Sequence, residues 1–184
     1  MRQRVMIAMA QMLEPDLIIA DEPTTALDVT IQSQVFDLMK RVRGKNASML
    51  LITHDMGVIW ENCDRVIVMY ASQAIERGTV YDIFDKMAHP YTKGLFESRA
   101  GASSRRGELH PIKGYVPSLG HYPAGCRFHP RCPYVMEKCK SGPVPDFAVD
   151  GDVRHLSRCW LHDGSAESAD RLLQLGGLRV SASA

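Results

Sequence analysis

The sequence predicts an α/β domain with a mostly parallel sheet, followed by a small loop-rich module. Two short runs, Leu17 to Ala20 and Met49 to Ile52, are wholly apolar and of strand length. Because they do not alternate with polar residues, they read as strands covered on both faces. A stretch of helical periodicity lies between them, and beyond residue 101 the composition shifts abruptly toward proline and cysteine.

The elements follow in order. Residues 2 to 13 place Val5, Met6, Met9, Met12 and Leu13 at three- and four-residue spacing, a helix that Pro15 must end. The first strand follows at Leu17. Thr30 to Arg43 reads as an amphipathic helix with Ile31, Val35, Leu38, Met39 and Val42 on one side, stopped at Gly44. The second strand ends in Thr53-His54-Asp55, a short helix spans about Met56 to Asn62, and a third strand runs from Arg65 to Tyr70. Strand, helix, strand, helix, strand is the α/β pattern. Gln73 to Thr79 completes an edge hairpin, and Val80 to Lys86 and Tyr91 to Arg99 carry weaker helical signals.

Gly101 to Gly107 is small, polar and basic, as a linker is. Residues 108 to 162 hold seven of the ten prolines and four of the five cysteines. The expected division is therefore residues 1–100 as the α/β part, 101–163 as the cysteine module and 164–184 as a tail, partly frayed.

Composition narrows the function classes. A hydrophobic fraction of 45% with 23% charged residues fits a packed core. A net charge of +1, without a basic stripe, argues against nucleic acid as a partner. No run approaches the length of a membrane span, and no signal-peptide pattern follows Met1, so a cytoplasmic location is expected. In that setting clustered cysteines point to metal before disulfides.

The first strand delivers Asp21 and Glu22 to its carboxyl end, the edge that faces ligands in open α/β sheets. There Asp21 can hold Mg²⁺ while Glu22 reaches a water attacking a phosphoryl group. An Asp-Glu-Pro turn at a helix start is the plainer explanation. His54 at the tip of the second strand adds an imidazole able to bond a phosphate or a positioned water, although a capping or packing role suits it as well. Asp28 either caps the helix beginning near Thr30 or reaches across a protein boundary.

The run from Met1 to Ala10, then Leu17-Ile18-Ile19-Ala20-Asp21-Glu22-Pro23-Thr24-Thr25-Ala26-Leu27-Asp28, then Leu51-Ile52-Thr53-His54-Asp55 resembles the second half of an ABC transporter ATPase domain. Four further segments narrow the likeness to the ATP-binding subunits of oligopeptide, dipeptide and nickel importers. They are Asp28-Val29-Thr30-Ile31-Gln32, His89 to Leu95, Gly114 to Leu119, and Gly125 to Pro133. The resemblance implies a partial P-loop NTPase fold whose parallel sheet lacks its P-loop strand, plus a proline- and cysteine-rich C-terminal extension. It implies ATP and Mg²⁺ as cofactors, with Asp21 as the Walker B aspartate serving magnesium. Glu22 becomes the general base, His54 the switch histidine that senses the γ-phosphate, and Asp28 a D-loop residue contacting the partner ATPase. It further implies a second ATPase subunit, two transmembrane permease subunits and, indirectly, an extracytoplasmic substrate-binding protein. The chain would sit peripherally on the cytoplasmic face of the inner membrane and couple ATP hydrolysis to import of oligopeptides or dipeptides. A nickel importer subunit and a non-catalytic remnant acting only in assembly are the alternatives.

The departures carry as much weight. No Gly-x-x-x-x-Gly-Lys-Ser/Thr occurs, and the only Lys-Ser step, Lys140-Ser141, lacks the glycines. The signature Leu-Ser-Gly-Gly would fall just before Met1, and the glutamine loop is also absent. Without backbone N–H groups and a lysine to cradle phosphates, these residues alone are expected to bind ATP poorly and not to hydrolyse it. The P-loop strand is expected between the first two strands, so its loss would expose apolar faces and unpaired edges. A fragment, a split gene and a misassigned start at an internal methionine all fit. Ser72 stands where the family usually has glycine.

Cys126, Cys132, Cys139 and Cys159 are separated by five, six and nineteen residues, unlike a zinc knuckle or a bacterial ferredoxin run. Four thiolates suit zinc or a four-iron cluster, with His129, His155 and His162 as possible substitutes. Cys63, behind an apolar helix, reads as a buried residue. The resemblance favours a [4Fe-4S] cluster over Zn²⁺ on the four cysteines.

Overall fold

The computed structural model describes residues 2–24, 28–42, 47–100 and 111–176. The readings at Gly44, in the 101–107 linker and beyond 176 lie outside the described residues. The chain divides at Cys63/Asp64 into two packed units.

The first unit comprises α1 (Arg2–Gln11), β1 (Leu17–Asp21), α2 (Val29–Val42), β2 (Ser48–Ile52) and α3 (Met56–Asn62). β1 and β2 are parallel and pair directly from Leu17↔Ser48 to Asp21↔Ile52. This overturns the expectation of a strand between them, since five consecutive residues of each strand already satisfy one another's backbone groups. The expectation of burial on both faces also fails. Ile18 and Ala20 are buried, while Leu17 and Ile19 are 52% and 63% exposed, as the two-residue period of a strand covered on one side requires.

The inner face meets α2 and α3. Ala20, Val35, Phe36, Met39 and Val58 form a buried cluster, with Ile7, Met49 and Leu51 against it. Burying each large side chain of this kind contributes about 1.5–3 kcal/mol. α2 therefore uses much of its expected face. α1 does not: Ile7 packs inward, while Val5, Met6 and Met9 are exposed. Cys63 caps the end of α3 and is half-exposed rather than buried.

The second unit contains β3 (Arg65–Tyr70), β4 (Gln73–Thr79), α4 (Val80–Asp85), α5 (Pro90–Ala100), β5 (Phe147–Val149), β6 (Asp152–Ser157) and α6 (Ala166–Gly176). Short 3-10 turns occupy His129–Arg131, Glu137–Lys140 and Trp160–His162. Its sheet has the order β3-β4-β6-β5 and is antiparallel throughout. The third strand thus joins a separate antiparallel sheet, not the parallel pair. Its hairpin partner follows after only Ala71 and Ser72, both with positive φ (47° and 62°), and so short a connection allows only an antiparallel neighbour. The sheets together make an α/β chain with one parallel and one antiparallel part.

Two cores hold this unit. Val68, Tyr70, Ile75, Ile83 and Phe128 form one, and Met136, Cys139, Cys159, Leu161 and Leu175 the other. α6 falls in a stretch that read as a tail. Its apolar contact is confined to Leu172 and Leu175, and polar ties secure the rest. Lys138 Nζ donates to Asp163 (2.5 Å) and to Ser165 and Ser168 (2.9 Å each) at the helix start, while Lys93 donates to the Leu175 carbonyl near its end.

Candidate functional site

Two adjacent strand tips build the first site. The Glu22 N–H donates to the Ile52 carbonyl at 2.9 Å, carrying the ladder one bond past Asp21. Glu22 then turns with φ +44°, a left-handed conformation uncommon for a residue with a side chain. Opposite, Asp55 caps α3 by accepting from the Gly57 and Val58 N–H groups (2.9 and 3.4 Å), and its own N–H donates to Thr53 Oγ1 (3.1 Å). His54 is held between these anchors. Its Nδ1 lies 2.7 Å from Glu22 Oε1.

A carboxylate only accepts, so the imidazole hydrogen sits on Nδ1 in this contact. The side chains are 81% and 38% exposed, so the pair adds little stability. What it offers is a carboxylate and an imidazole that share a proton at the ligand-facing end of parallel strands. Asp21 is exposed, on the face of β1 opposite its buried residues. Asp28 serves as the cap of α2: Oδ1 accepts from the Ile31 N–H at 2.9 Å and its carbonyl from the Gln32 N–H at 2.9 Å. Buried Thr24 accepts from Gln32 Nε2 at 3.2 Å. The structure therefore joins Glu22 to His54 and gives Asp28 a capping role.

The cysteines define the second site. Cys139 and Cys159 are buried, and Cys126 and Cys132 are half-buried, all as free thiols. The Cys126 N–H donates to the Cys139 carbonyl at 2.9 Å; Cys139 and Cys159 belong to the second core, Cys132 packs against the first, and Cys126 touches both. Burial pushes the Cys126 and Cys159 thiols up and Cys132 to about 12. Mutual repulsion among the sulfurs adds to this, while the N–H groups of Phe128, Tyr134 and Leu161 favour the thiolates of Cys126, Cys132 and Cys159. Amide donors two residues after these three sulfurs suit thiolates, because they hold negative charge without titrating.

The histidines proposed as substitutes are engaged elsewhere. His129 Nδ1 contacts the Cys126 carbonyl (3.0 Å), His162 Nε2 the Ala88 carbonyl (2.9 Å) and His155 Nε2 Glu76 Oε1 (2.9 Å). Among the described residues, no three His, Cys, Asp or Glu side chains gather closely enough to hold one metal ion. The four cysteines thus supply soft donors without a metal-holding group assembled among the described residues.

Sequence reasoning missed Glu76. Fully buried in β4, it accepts from the Ala88 and His89 N–H groups (2.8 Å each) as well as meeting His155. A charged residue in a strand gives no pattern signal that it is satisfied internally. Only its contacts, twelve, thirteen and seventy-nine residues away in the chain, explain its place.

No described helix is long and apolar enough to cross a membrane. Residues 75–139 match the family model described as "Oligopeptide/dipeptide transporter, C-terminal region". The chain is 57% identical over 164 residues to the oligopeptide transport ATP-binding protein AppD of Bacillus subtilis, covering 89% of this chain and 49% of that protein. It is 49% identical over 170 residues to the dipeptide transport ATP-binding protein DppD of the same organism, covering 92% and 50%. Against the oligopeptide transport ATP-binding protein OppD of Salmonella typhimurium it is 47% identical over 155 residues, covering 84% and 46%. The chain spans about half the length of the curated relatives it matches. The likeness carried by the motifs thus extends over most of the chain.

Proposed function

From this kinship with the peptide-transport ATP-binding proteins, we infer that the chain is part of the ATP-binding subunit of a peptide-type ABC importer. It works with a second ATPase subunit and two membrane permease subunits, as a peripheral protein on the cytoplasmic side. The observation that best supports a hydrolytic role is the 2.7 Å contact between Glu22 and His54 at the tips of β1 and β2.

Each residue has a definite task in this reading. Asp21 would hold Mg²⁺, which would supply positive charge against the phosphates. Glu22 accepts a proton from the attacking water. His54, on the same carboxylate, orients Glu22 before nucleotide arrives and bonds the terminal phosphate afterwards. Asp28, at the start of α2, contacts the partner ATPase in this reading. Phosphate-cradling amides and a lysine must come from residues outside these 184, since no Gly-x-x-x-x-Gly-Lys-Ser/Thr occurs among them.

Cys126, Cys132, Cys139 and Cys159 would hold a [4Fe-4S] cluster as thiolates. When bound, such a cluster supplies a structural cross-link with one-electron redox capacity.

Fusing the chain to the remaining half of AppD tests the hydrolytic role. The chain alone should turn over no ATP, and the fusion should hydrolyse it with a rate that collapses in Glu22→Gln. Hydrolysis that survives Glu22→Gln in the fusion would overturn the assignment.

A further inference from the structure

The strand-tip site depends on a strained turn. Glu22 leaves β1 with φ +44°, and a residue with a side chain stays in that region only where its surroundings over-determine it. On the strand side the turn is fixed by the Glu22 N–H on the Ile52 carbonyl (2.9 Å) and by the His54 contact (2.7 Å). The chain leaving the turn must be held as well. Pro23 restricts its own φ, and Thr24 after it is only 6% exposed.

Gln32 holds this outgoing segment. Its side-chain amide donates to Thr24 Oγ1 at 3.2 Å, back across eight residues, and its backbone N–H donates to the Asp28 carbonyl at 2.9 Å. One residue in the first turn of α2 thus grips the chain at both Thr24 and Asp28. A polar residue is unexpected at this place. Gln32 stands three and four residues before Val35 and Phe36, which are buried in the core, so it shares their face of the helix. A leucine there would bury more apolar surface, whereas a half-buried glutamine must have its amide satisfied. What the glutamine adds is a link to the second residue beyond Glu22.

We propose that Gln32, acting through Thr24, is a positioning residue for Glu22, fixing the outgoing end of the turn so that the carboxylate stays at the tip of β1 beside His54. This rests on the reading of Glu22 as the base of an ATPase site. Without the link the turn can relax toward ordinary backbone angles, and the carboxylate leaves the place where water must be met. If the bond merely satisfied a buried hydroxyl, its loss would lower stability without moving Glu22.

The test uses the chain fused to the remaining half of AppD, as wild type, Gln32→Leu, Thr24→Val and Thr24→Ser, each with and without Glu22→Gln. Gln32→Leu and Thr24→Val should lower kcat by roughly 10–10²-fold with KM for Mg-ATP unchanged. Thr24→Ser keeps the acceptor oxygen and should keep most of the rate. On the Glu22→Gln background the same changes should have little further effect, because the base they position is already gone. A second readout is independent of turnover. Hydrogen exchange at the Glu22 amide should quicken several-fold in Gln32→Leu and Thr24→Val, while amides in the middle of α2 keep their wild-type rates. Unchanged exchange at Glu22, uniform quickening throughout, or a rate loss that persists in full on the Glu22→Gln background would overturn the proposal. A fusion that does not hydrolyse ATP, or ignores Glu22→Gln, would instead refute the base assignment beneath it, and the exchange rates would still decide whether Gln32 holds the turn.

Discussion

Glu22 and His54, thirty-two residues apart in the chain, meet at 2.7 Å across the tips of two strands paired in parallel. The contact follows from the register. Asp21↔Ile52 is the last ladder pair, and the Glu22 N–H still bonds the Ile52 carbonyl. By register Glu22 stands opposite Thr53, and His54, one residue further on, is the neighbour whose ring meets the carboxylate. The left-handed φ of Glu22 costs free energy, of order 1–3 kcal/mol for such a conformation, and is the kind of strain found where a side chain must be aimed.

Because the two side chains act as a unit, their loss should not be additive. In the AppD fusion, Glu22→Gln is expected to lower ATP turnover by about 10²–10⁴, the usual range for a general base. Adding His54→Ala to Glu22→Gln should cost little more than the worse single change. Steady-state hydrolysis of the four proteins decides it. Fully multiplicative losses would show that the contact has no part in the chemistry.

The β3–β4 turn yields a stability prediction. Two-residue hairpin turns with positive φ favour glycine or asparagine, yet here the residues are Ala71 and Ser72. Ser72→Gly should stabilise the protein by about 0.5–1 kcal/mol, reduced by loss of the exposed 2.9 Å contact between Ser72 Oγ and Tyr122 Oη. Urea unfolding of wild type, Ser72→Gly and Tyr122→Phe separates the two effects. A lower midpoint for Ser72→Gly than for Tyr122→Phe would contradict the backbone argument.

Much of this was legible in the residues because it depends on short-range pattern. The apolar runs at Leu17 and Met49, the helix from Met56 to Asn62 and the hairpin at Tyr70 to Gln73 each announce themselves within a few residues. Partner choice did not. Nothing local says that β1 pairs β2 directly, or that Arg65–Tyr70 turns back on β4 in a separate sheet. α6 was hidden for a related reason. Its apolar stripe is only Leu172 and Leu175, and its anchoring lysines, Lys93 and Lys138, lie far away in sequence. For the candidate site, the strand tips exposed Asp21, Glu22 and His54, whereas Glu76 gains meaning only from what folds against it.

The cysteine module depends on one backbone position. Gly125 has φ +69°, and a Cβ there would stand 2.4 Å from the Cys139 carbonyl oxygen and 2.8 Å from the Ser141 nitrogen. Backbone atoms on both sides cannot yield as a flexible side chain would. Gly125→Ala should therefore break the bond from the Cys126 N–H to the Cys139 carbonyl and separate the two thiols. Anaerobically purified Gly125→Ala is expected to retain less than half the iron of wild type, whereas Gly142→Ala, with open space around the added carbon, should retain most of it. Equal iron in the two variants would remove Gly125 from the site.

His89 makes the second unit sensitive to mild acid. It occupies the N-cap place of α5, with Nδ1 accepting the Tyr91 N–H at 3.0 Å. The proton therefore sits on Nε2, which is buried with no hydrogen-bond partner among the described residues. Burial lowers its pKa to about 4; Glu76 opposes this and His162 reinforces it. The folded state thus refuses a proton that the unfolded chain accepts below about pH 6.5. Stability from neutral His89 is fully present above that value and is lost as pH falls through it toward 4, in total by roughly 3 kcal/mol. The depressed carboxylates Asp82, Asp146 and Asp163 act lower, below about pH 4 where unfolded aspartates begin to protonate. His89→Asn can still cap α5 through its side-chain oxygen but cannot titrate. It should be less stable at pH 7, because a smaller side chain leaves a void, yet lose far less between pH 6.5 and 4.5. Urea midpoints across that interval measure the slope, and parallel slopes for the two proteins would assign the acid sensitivity to another group.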